Sequence, residues 1–174
     1  MDPLHRMFHY RPIVRKGWLL LLALLLCSCF SREVLEPADK APNFKLKTLD
    51  GKPFRFDPPF NETQVIYFWA AWCRNCEDDF QRLNTLYAKW EKKIGSPRLV
   101  AINAGQPQKH IRNFAKRMEP SFPIYIDPDI KVARRFGVRG VPTYFITDKQ
   151  GIVRHIILGW TSEKALLGKI DEVD

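Results

Sequence analysis

The sequence predicts an α/β domain in which helices cover both faces of a mixed β-sheet. Short apolar segments, typical of buried strands, alternate with longer segments whose apolar residues recur every three or four positions. The Asp50-Gly51 pair is a hairpin signal between two alternating segments near the start of the domain. A second hairpin pattern followed by a helix ends the chain, so parallel and antiparallel strands are expected in one sheet.

The individual elements follow in chain order. Two alternating strands flank the Asp50-Gly51 turn, and residues 64–70 form a nearly unbroken apolar run, as expected for a central strand covered on both faces. Gly137 ends one helix, and Thr161 or Ser162 can cap the last. Strands are expected at residues 44–47, 53–56, 64–70, 99–102, 122–126, 143–146 and 152–158. Helices are expected at residues 74–93, 107–118, 129–136 and 161–173.

Length and composition favour one ordinary domain. The chain has 174 residues, of which 45% are hydrophobic, enough for one packed core and too few for two comfortable domains. The formal net charge is +9, with +3 from residues 1–28 and +6 from the remainder. A basic surface could meet anionic lipid or an acidic partner, but scattered Lys and Arg fit a solvated surface better. Without a long basic run, no nucleic-acid partner is expected.

The N-terminal segment reads as an export signal. Residues 18–30 form an apolar block of 13 residues, whereas a spanning helix needs about 20. The block ends in Leu26-Cys27-Ser28-Cys29, which resembles a bacterial lipoprotein cleavage site with Cys29 as the lipidated residue. The alternative is a short uncleaved anchor, and both place the domain on the periplasmic side of a membrane. We expect a leader or anchor at residues 1–29, a tether at 30–40 and the domain at 41–174.

Two cysteines, Cys73 and Cys76, lie where the apolar strand gives way to a helix. A C-x-x-C pair in this context favours a redox dithiol. Helix dipole and unpaired N–H groups favour an anion at Cys73, the expected attacking thiolate. Cys76, one turn inside the helix, is the expected resolving thiol. The intervening Arg74 and Asn75 are expected to tune the reduction potential.

The competing interpretations of the pair are buried structural cysteines or half of a zinc site. Structural zinc needs four Cys or His ligands. The other cysteines, Cys27 and Cys29, lie in the apolar leader. No histidine pair with zinc spacing lies near the motif; the histidines are His5, His9, His110 and His155. We therefore expect neither a metal nor another cofactor.

Three segments together resemble a known family. Residues 41–44 read Ala-Pro-Asn-Phe, residues 68–76 contain the Trp-Cys-x-x-Cys site, and residues 137–143 read Gly-Val-Arg-Gly-Val-Pro-Thr. Their order and spacing resemble the TlpA/ResA branch of thioredoxin-fold proteins over roughly residues 40–172. The resemblance implies a thioredoxin-like fold with an N-terminal β-hairpin extension. It also implies a membrane-tethered thiol-disulfide oxidoreductase. Some members of this branch serve cytochrome c maturation.

The resemblance assigns substrate contacts beside the dithiol. It implies that the Val141–Pro142 peptide bond is cis, which leaves the backbone of Val141 free to pair with a substrate segment. The alternative is an ordinary trans proline at the start of an edge strand. Trp72, Val141 and Pro142 are accordingly expected to contact substrate.

Asp79 is the third candidate for catalysis. It lies three residues after Cys76, where the family's reductases commonly carry a glutamate that helps proton transfer to and from the resolving cysteine. The alternative is an acid that merely complements the helix dipole. Thioredoxin's buried aspartate is replaced here by Tyr67, so that proton relay is missing and Asp79 is the expected substitute.

The resemblance favours a reductase of extracytoplasmic protein disulfides, including those of apocytochrome c, supplied with electrons by a membrane thiol carrier. An oxidase or isomerase could use the same dithiol. A copper-handling protein of the same fold is a weaker alternative, because such proteins use a C-x3-C pair plus a histidine. A peroxiredoxin is weaker still, since Ala70 stands where a threonine is expected.

Overall fold

The computed structural model describes residues 34–173, which contain seven strands and four helices. The strands are β1 (Phe44–Thr48), β2 (Pro53–Phe56), β3 (Gln64–Trp69), β4 (Arg98–Ala104), β5 (Ile124–Asp127), β6 (Thr143–Thr147) and β7 (Val153–Leu158). The helices are α1 (Arg74–Trp90), α2 (Gln108–Met118), α3 (Lys131–Arg135) and α4 (Glu163–Asp171).

All seven strands form one mixed sheet in the order β2-β1-β5-β4-β3-β6-β7. The three central strands, β5, β4 and β3, run parallel. The N-terminal β1–β2 hairpin joins β5 antiparallel at one end, and the β6–β7 pair joins β3 antiparallel at the other. The predicted mixed sheet and N-terminal hairpin are therefore confirmed, and the dithiol follows the central strand β3.

Alternation along β3 divides the core into two layers. Tyr67 and Trp69 point to the face covered by α1, α2 and α4, which we call the dithiol face because Cys73 and Cys76 pack into it. Ile66 and Phe68 point to the opposite face. We call that side the phenylalanine face after its buried rings, Phe44, Phe56, Phe68, Phe136 and Phe145.

Several boundaries differ from the sequence prediction by one to three residues, and the starts of β5 and α3 differ for identifiable local reasons. Strand β5 begins at Ile124 rather than Phe122, because Pro123 has no N–H to donate to a strand ladder. Helix α3 begins at Lys131 because Ile130 adopts a left-handed conformation and the Asp127 carboxylate accepts a hydrogen bond from the Ala133 N–H. Phe122 instead packs against the ring of Phe80 on the dithiol face.

The segment before β1 also pairs with the sheet edge. Ala38 N–H donates to the Val153 carbonyl, and Ala41 N–H donates to the Gly151 carbonyl, each at 2.8 Å. The predicted leader at residues 1–29, including the lipidation candidate Cys29, lies outside the described residues. Within residues 34–173, no helix is both long enough and apolar enough to cross a membrane.

Candidate active site

Cys73 is held at the point where β3 becomes α1. A turn follows Trp69, and the Cys73 N–H donates to the Ala70 carbonyl at 3.1 Å. Cys73 keeps extended backbone angles as the N-cap residue of α1. The residue is 7% exposed, so Cys73 lies just below the surface at the helix N-terminus. This is the position predicted for the attacking sulfur.

Cys76 lies one turn further on and is fully buried. Its N–H donates to the Cys73 carbonyl at 3.0 Å, and both cysteines are free thiols. Burial is the main cause that raises the pKa of Cys76 well above its ordinary value, and a hydrogen bond with Cys73 raises it further. The Ala70 backbone and the Tyr67 hydroxyl oppose that rise. The Cys76 thiol is therefore protonated in the resting reduced protein.

The loop before β6 closes over the attacking cysteine. The Val141–Pro142 bond is cis, as expected from the family resemblance. The Cys73 thiol donates to the Val141 carbonyl at 3.6 Å between Sγ and O. The Pro142 carbonyl accepts from the Gly159 N–H at 2.8 Å, which ties this loop to the residue after β7. The sequence candidates Val141 and Pro142 are thus brought against the dithiol.

Three further sequence candidates surround Cys73 on the outside of the molecule. Trp72 is 73% exposed, although an indole ring normally favours burial. Arg74 and Asn75 are exposed in the first turn of α1. An exposed tryptophan next to a reactive sulfur offers an apolar contact to any polypeptide that approaches it.

Asp79 is completely buried beneath this surface. Its Oδ1 accepts a hydrogen bond from Arg82 Nη2 at 2.5 Å, and its Oδ2 accepts one from the Tyr144 hydroxyl at 2.6 Å. Burial raises the pKa of Asp79 above its ordinary value, while Tyr144, Arg82 and Tyr67 oppose the rise. Its neighbours behave differently, since Asp78 is exposed and Glu77 pairs with Arg117 at 2.5 Å.

Arg82 links this buried carboxylate to the surface. Besides Asp79, the guanidinium donates to the Thr161 carbonyl and, at 3.3 Å, to the Tyr144 hydroxyl. It also lies 5.7 Å from the ring centroid of Trp160, a half-exposed indole. Arg82 and Tyr144 were not predicted as site residues, but an arginine three positions after Asp79 was a readable signal for a helical ion pair.

Tyr67 completes the buried group. Its ring stacks on the Tyr144 ring at 4.6 Å between centroids, and the two residues face each other across β3 and β6. Burial raises the pKa of Tyr67 well above its ordinary value, and Tyr144, Cys76 and Asp79 add to the rise. Tyr67, which stands where thioredoxin carries its buried aspartate, therefore lies among the titratable groups of the site.

Gln106 supports the turn that carries the dithiol. Its Oε1 accepts from the Ala71 N–H at 2.5 Å and from Asn103 Nδ2 at 2.9 Å. Asn103 is fully buried near the end of β4, so the loop after that strand fixes the backbone two residues before Cys73. Nothing in the local sequence around Gln106 indicated this contact, because it joins positions 35 residues apart.

The described part of the chain offers no clustered metal ligands. Within residues 34–173, no group of three or more His, Cys, Asp or Glu side chains is placed to hold a metal ion. His155 lies on β7, where its Nε2 is 3.2 Å from Glu172 Oε2. The site described above contains two thiols, a buried carboxylate and two buried phenols.

Relatives of this chain are named thiol-disulfide oxidoreductases. The AhpC/TSA family matches residues 37–156. The chain is 32% identical over 133 residues to the thiol-disulfide oxidoreductase ResA of Geobacillus thermodenitrificans, which covers 76% of this chain and 75% of the relative. It is 29% identical over 142 residues to ResA of Bacillus cereus, which covers 82% and 81% of the two chains.

Solved structures have the same architecture. A Chlorobium tepidum structure described as the thiol:disulfide interchange protein DsbE has a TM-score of 0.72 at 28% identity, covering 80% of this chain and 98% of that one. StoA from Bacillus subtilis shares the fold with a TM-score of 0.65 at 23% identity, covering 76% and 98%. The expected thioredoxin-like fold is confirmed. The chain belongs to the AhpC/TSA family, and it is a ResA-like thiol-disulfide oxidoreductase of thioredoxin fold.

Proposed function

We propose that the protein is a membrane-tethered, extracytoplasmic reductase that opens disulfides in protein substrates. The observation that carries this proposal is the unequal placement of the two thiols. Cys73 reaches the surface at a helix N-terminus, whereas Cys76 is fully buried and its pKa is raised by that burial. One sulfur is therefore placed to attack a substrate, and the other can react only after the first is occupied.

The reaction divides into two exchanges. The Cys73 thiolate attacks one sulfur of the substrate disulfide, a mixed disulfide forms, and the other substrate sulfur leaves as a thiolate. Cys76 then loses its proton and attacks Cys73 Sγ, which releases the second substrate sulfur and forms the Cys73–Cys76 disulfide. Two electrons pass from the dithiol to the substrate. In this proposal Asp79 is the acceptor of the Cys76 proton.

Two features of the site favour reduction over oxidation. Because burial raises the pKa of Cys76, the reduced pair gains little from a thiolate there. The Arg74 side chain is exposed, so solvent and salt screen its charge. Strong oxidants of this class owe their potential to a stabilised reduced form. The raised pKa of Cys76 and the screened charge of Arg74 each weaken that stabilisation, which favours the release of electrons from the dithiol.

The surface next to Cys73 fits an extended polypeptide. Trp72 offers an exposed apolar ring, and the carbonyl of Val141, the residue before Pro142, accepts a hydrogen bond from the Cys73 thiol. We assign substrate binding to these three residues, with apocytochrome c as a candidate protein substrate. Each turnover leaves the dithiol oxidised, so a membrane thiol electron donor must return two electrons.

The N-terminal sequence supports the proposed location. We assign residues 1–29 to a leader, with Cys29 as the lipidated residue or the segment as a short anchor. Labelling cells with a radioactive fatty acid tests the lipid directly: label should appear on the wild type and disappear in Cys29→Ser. Label that survives this substitution would contradict lipidation at Cys29.

The reduction potential of the Cys73/Cys76 pair tests the direction of the reaction. It would be measured on the detergent-solubilised protein equilibrated with defined thiol-disulfide buffers. A value at or below about −240 mV, towards that of thioredoxin, is expected for a reductase that a dedicated donor keeps reduced. A value near about −120 mV would overturn the assignment and indicate disulfide formation.

A further inference from the structure

The hydroxyl of Tyr67 is a buried polar group without an obvious structural purpose. The side chain is fully buried on β3, and its Oη has no hydrogen bond of ordinary length and angle within residues 34–173. An unpaired buried hydroxyl lowers stability, typically by about 1 to 3 kcal/mol. Phenylalanine would fill the same space, so the oxygen calls for a functional explanation.

The titratable groups around this hydroxyl come from two elements. The N-terminal part of α1 supplies Cys76, Asp79 and, further out, Arg82, while β6 supplies Tyr144. Tyr67 stacks on Tyr144, whose hydroxyl donates to Asp79 Oδ2 at 2.6 Å, and it belongs with Cys76 to one buried cluster. Tyr67 also contributes to lowering the pKa of both Cys76 and Asp79. Tyr67 therefore belongs to the buried group that contains both the thiol that must lose a proton and the carboxylate that can accept one.

The other hydrogen bonds of Asp79 leave its carboxylate free to accept one from Tyr67. Arg82 occupies Oδ1, and the Tyr144 hydroxyl donates to Oδ2. Each carboxylate oxygen has more than one lone pair, so the Asp79 carboxylate can also accept from Tyr67. Tyr144 holds Asp79 through a hydrogen bond, whereas Tyr67 also contributes to lowering the pKa of Cys76.

We propose that the Tyr67 hydroxyl relays the Cys76 proton to Asp79 when Cys76 resolves the mixed disulfide. This inference rests on the proposed function. A hydroxyl can accept one hydrogen bond while donating another, so the proton can move in two short transfers. Because burial keeps the pKa of Tyr67 high, the phenol remains neutral before and after the step.

The step balances without any added reagent. The Cys76 S–H proton passes to Tyr67 Oη as the phenol proton passes to the Asp79 carboxylate, which becomes a carboxylic acid. The Cys76 thiolate bonds to Cys73 Sγ, and the bond between Cys73 and the substrate sulfur breaks. The substrate sulfur leaves with the bonding electron pair and takes a proton from water. Asp79 returns its proton to Cys76 by the same route when the dithiol is reduced again.

A single-turnover reaction separates this step from the first attack. The probe is dithiobis(nitrobenzoate), a symmetric disulfide that releases one coloured thiolate when Cys73 attacks and a second when Cys76 resolves. The protein is the full chain in detergent, with Cys27→Ser and Cys29→Ser so that only the dithiol reacts. Cys76→Ser identifies the first phase, because it cannot produce the second.

Tyr67→Phe should leave the first phase unchanged and slow the second by at least about tenfold near neutral pH, as expected for the loss of a proton-transfer group. The deficit should shrink as pH rises, because hydroxide can then remove the Cys76 proton directly. Asp79→Asn should slow the same phase, and the double variant should be no slower than the slower single variant. Tyr125→Phe, a buried tyrosine on the other face of the sheet, is the matched control and should match the wild type.

The outcomes separate the relay from the proposed function. A second phase of wild-type rate in Tyr67→Phe overturns the relay, as do multiplicative losses in the double variant. Equal slowing of both phases would indicate a structural effect and also overturn it. If the unsubstituted dithiol releases only one thiolate per Cys73, the two-thiol mechanism itself fails, whatever Tyr67 does.

Discussion

The two faces of the sheet bury similar amounts of aromatic side chain but arrange them for different purposes. On the phenylalanine face, Phe44 stacks on Phe56 at 4.8 Å, and Phe136 meets Phe145 edge-on at 5.1 Å. On the dithiol face, the aromatic residues beside the site are Tyr67 and Tyr144, which carry hydroxyl groups. The first arrangement contributes packing, and the second also brings polar atoms below the reactive sulfurs.

The difference shows where stability and chemistry are placed. The dithiol face buries the Asp79 carboxylate and leaves the Tyr67 hydroxyl and Trp69 Nε1 without partners within residues 34–173. Each such group lowers the free energy of unfolding. The five phenylalanine rings of the opposite face carry no polar atom, so we expect their packing to offset part of this cost.

Phe136→Ala should cause the largest loss of stability. Phe136 is fully buried and contacts the rings of Phe44, Phe68 and Phe145, so its removal leaves a cavity between several elements. We expect the free energy of unfolding to fall by about 3 to 5 kcal/mol, measured by urea denaturation.

The rate of the first thiol exchange is the control for Phe136→Ala. If the two faces are separate in purpose, the rate per folded molecule should equal that of the wild type. A stability loss below about 1 kcal/mol, or an altered rate in the folded fraction, would contradict the division between the faces.

Arg82→Met should have the next largest effect, because it leaves a buried carboxylate without its cation. Asp79 is fully buried and Arg82 is 12% exposed, so we expect a loss of about 3 kcal/mol at pH 7 by urea denaturation. The pKa of Asp79 is already raised by burial, so the folded state holds this proton more tightly than the unfolded state. Stability contributed by protonated Asp79 is lost as pH rises, and removing Arg82 enlarges that loss.

The Arg82→Met deficit should therefore shrink as pH falls, because Asp79 takes up a proton and its carboxyl group no longer needs a cation. Arg55→Met is the matched control, since the Arg55–Asp57 pair is exposed and should contribute less than about 1 kcal/mol. An Arg82→Met deficit that is independent of pH would show that Asp79 is not its cause.

Most of the fold could be predicted from local sequence pattern. Helix α1 buries Cys76, Asp79, Phe80, Leu83 and Leu86, which follow the expected three- and four-residue spacing. Ser162 caps α4 through the Ala165 N–H, one of the two predicted caps. The errors at β5 and α3 arose where a proline or a left-handed residue moved a boundary by two residues.

The site was less accessible to sequence reasoning. The dithiol and the proline loop carry motifs, but the partners of Asp79 do not. Tyr144 and Gln106 reach the site from β6 and from the loop after β4, at separations of 65 and 35 residues from the groups they contact. Such contacts depend on strand order and register, which cannot be predicted from the spacing of apolar residues along the chain. The sequence shows that Tyr67 replaces the buried aspartate of thioredoxin. The position of its hydroxyl, however, follows only from the pairing of β3 with β6.

The titration of Cys76 should give a smaller effect that is specific to the reduced protein. The folded state holds the Cys76 proton because burial raises its pKa from the ordinary 9.0, whereas the unfolded state releases it near that value. Unfolding then releases a proton above pH 9, so stability falls as pH rises, by up to about 1.4 kcal/mol per pH unit.

Urea denaturation of the reduced protein between about pH 8.5 and 9.5 measures this slope. Cys76→Ser should show a shallower decline than the wild type, and Cys73→Ser should retain the steeper one. Equal slopes in the wild type and Cys76→Ser would mean that the buried thiol does not hold its proton as proposed.

Trp72→Ala should have the smallest effect on stability, because the Trp72 side chain lies on the surface rather than in the core. Trp72 is 73% exposed, whereas Trp69, three residues earlier, is fully buried, so we expect a change within about 0.5 kcal/mol by urea denaturation. If Trp72 contacts substrate, KM for a protein disulfide should rise about fivefold, equivalent to about 1 kcal/mol of binding. Ile94→Ala, a fully exposed apolar residue beyond the end of α1, is the control and should leave KM unchanged. An unchanged KM in Trp72→Ala would show that Trp72 does not contact substrate and would leave Val141 and Pro142 as the substrate-binding residues.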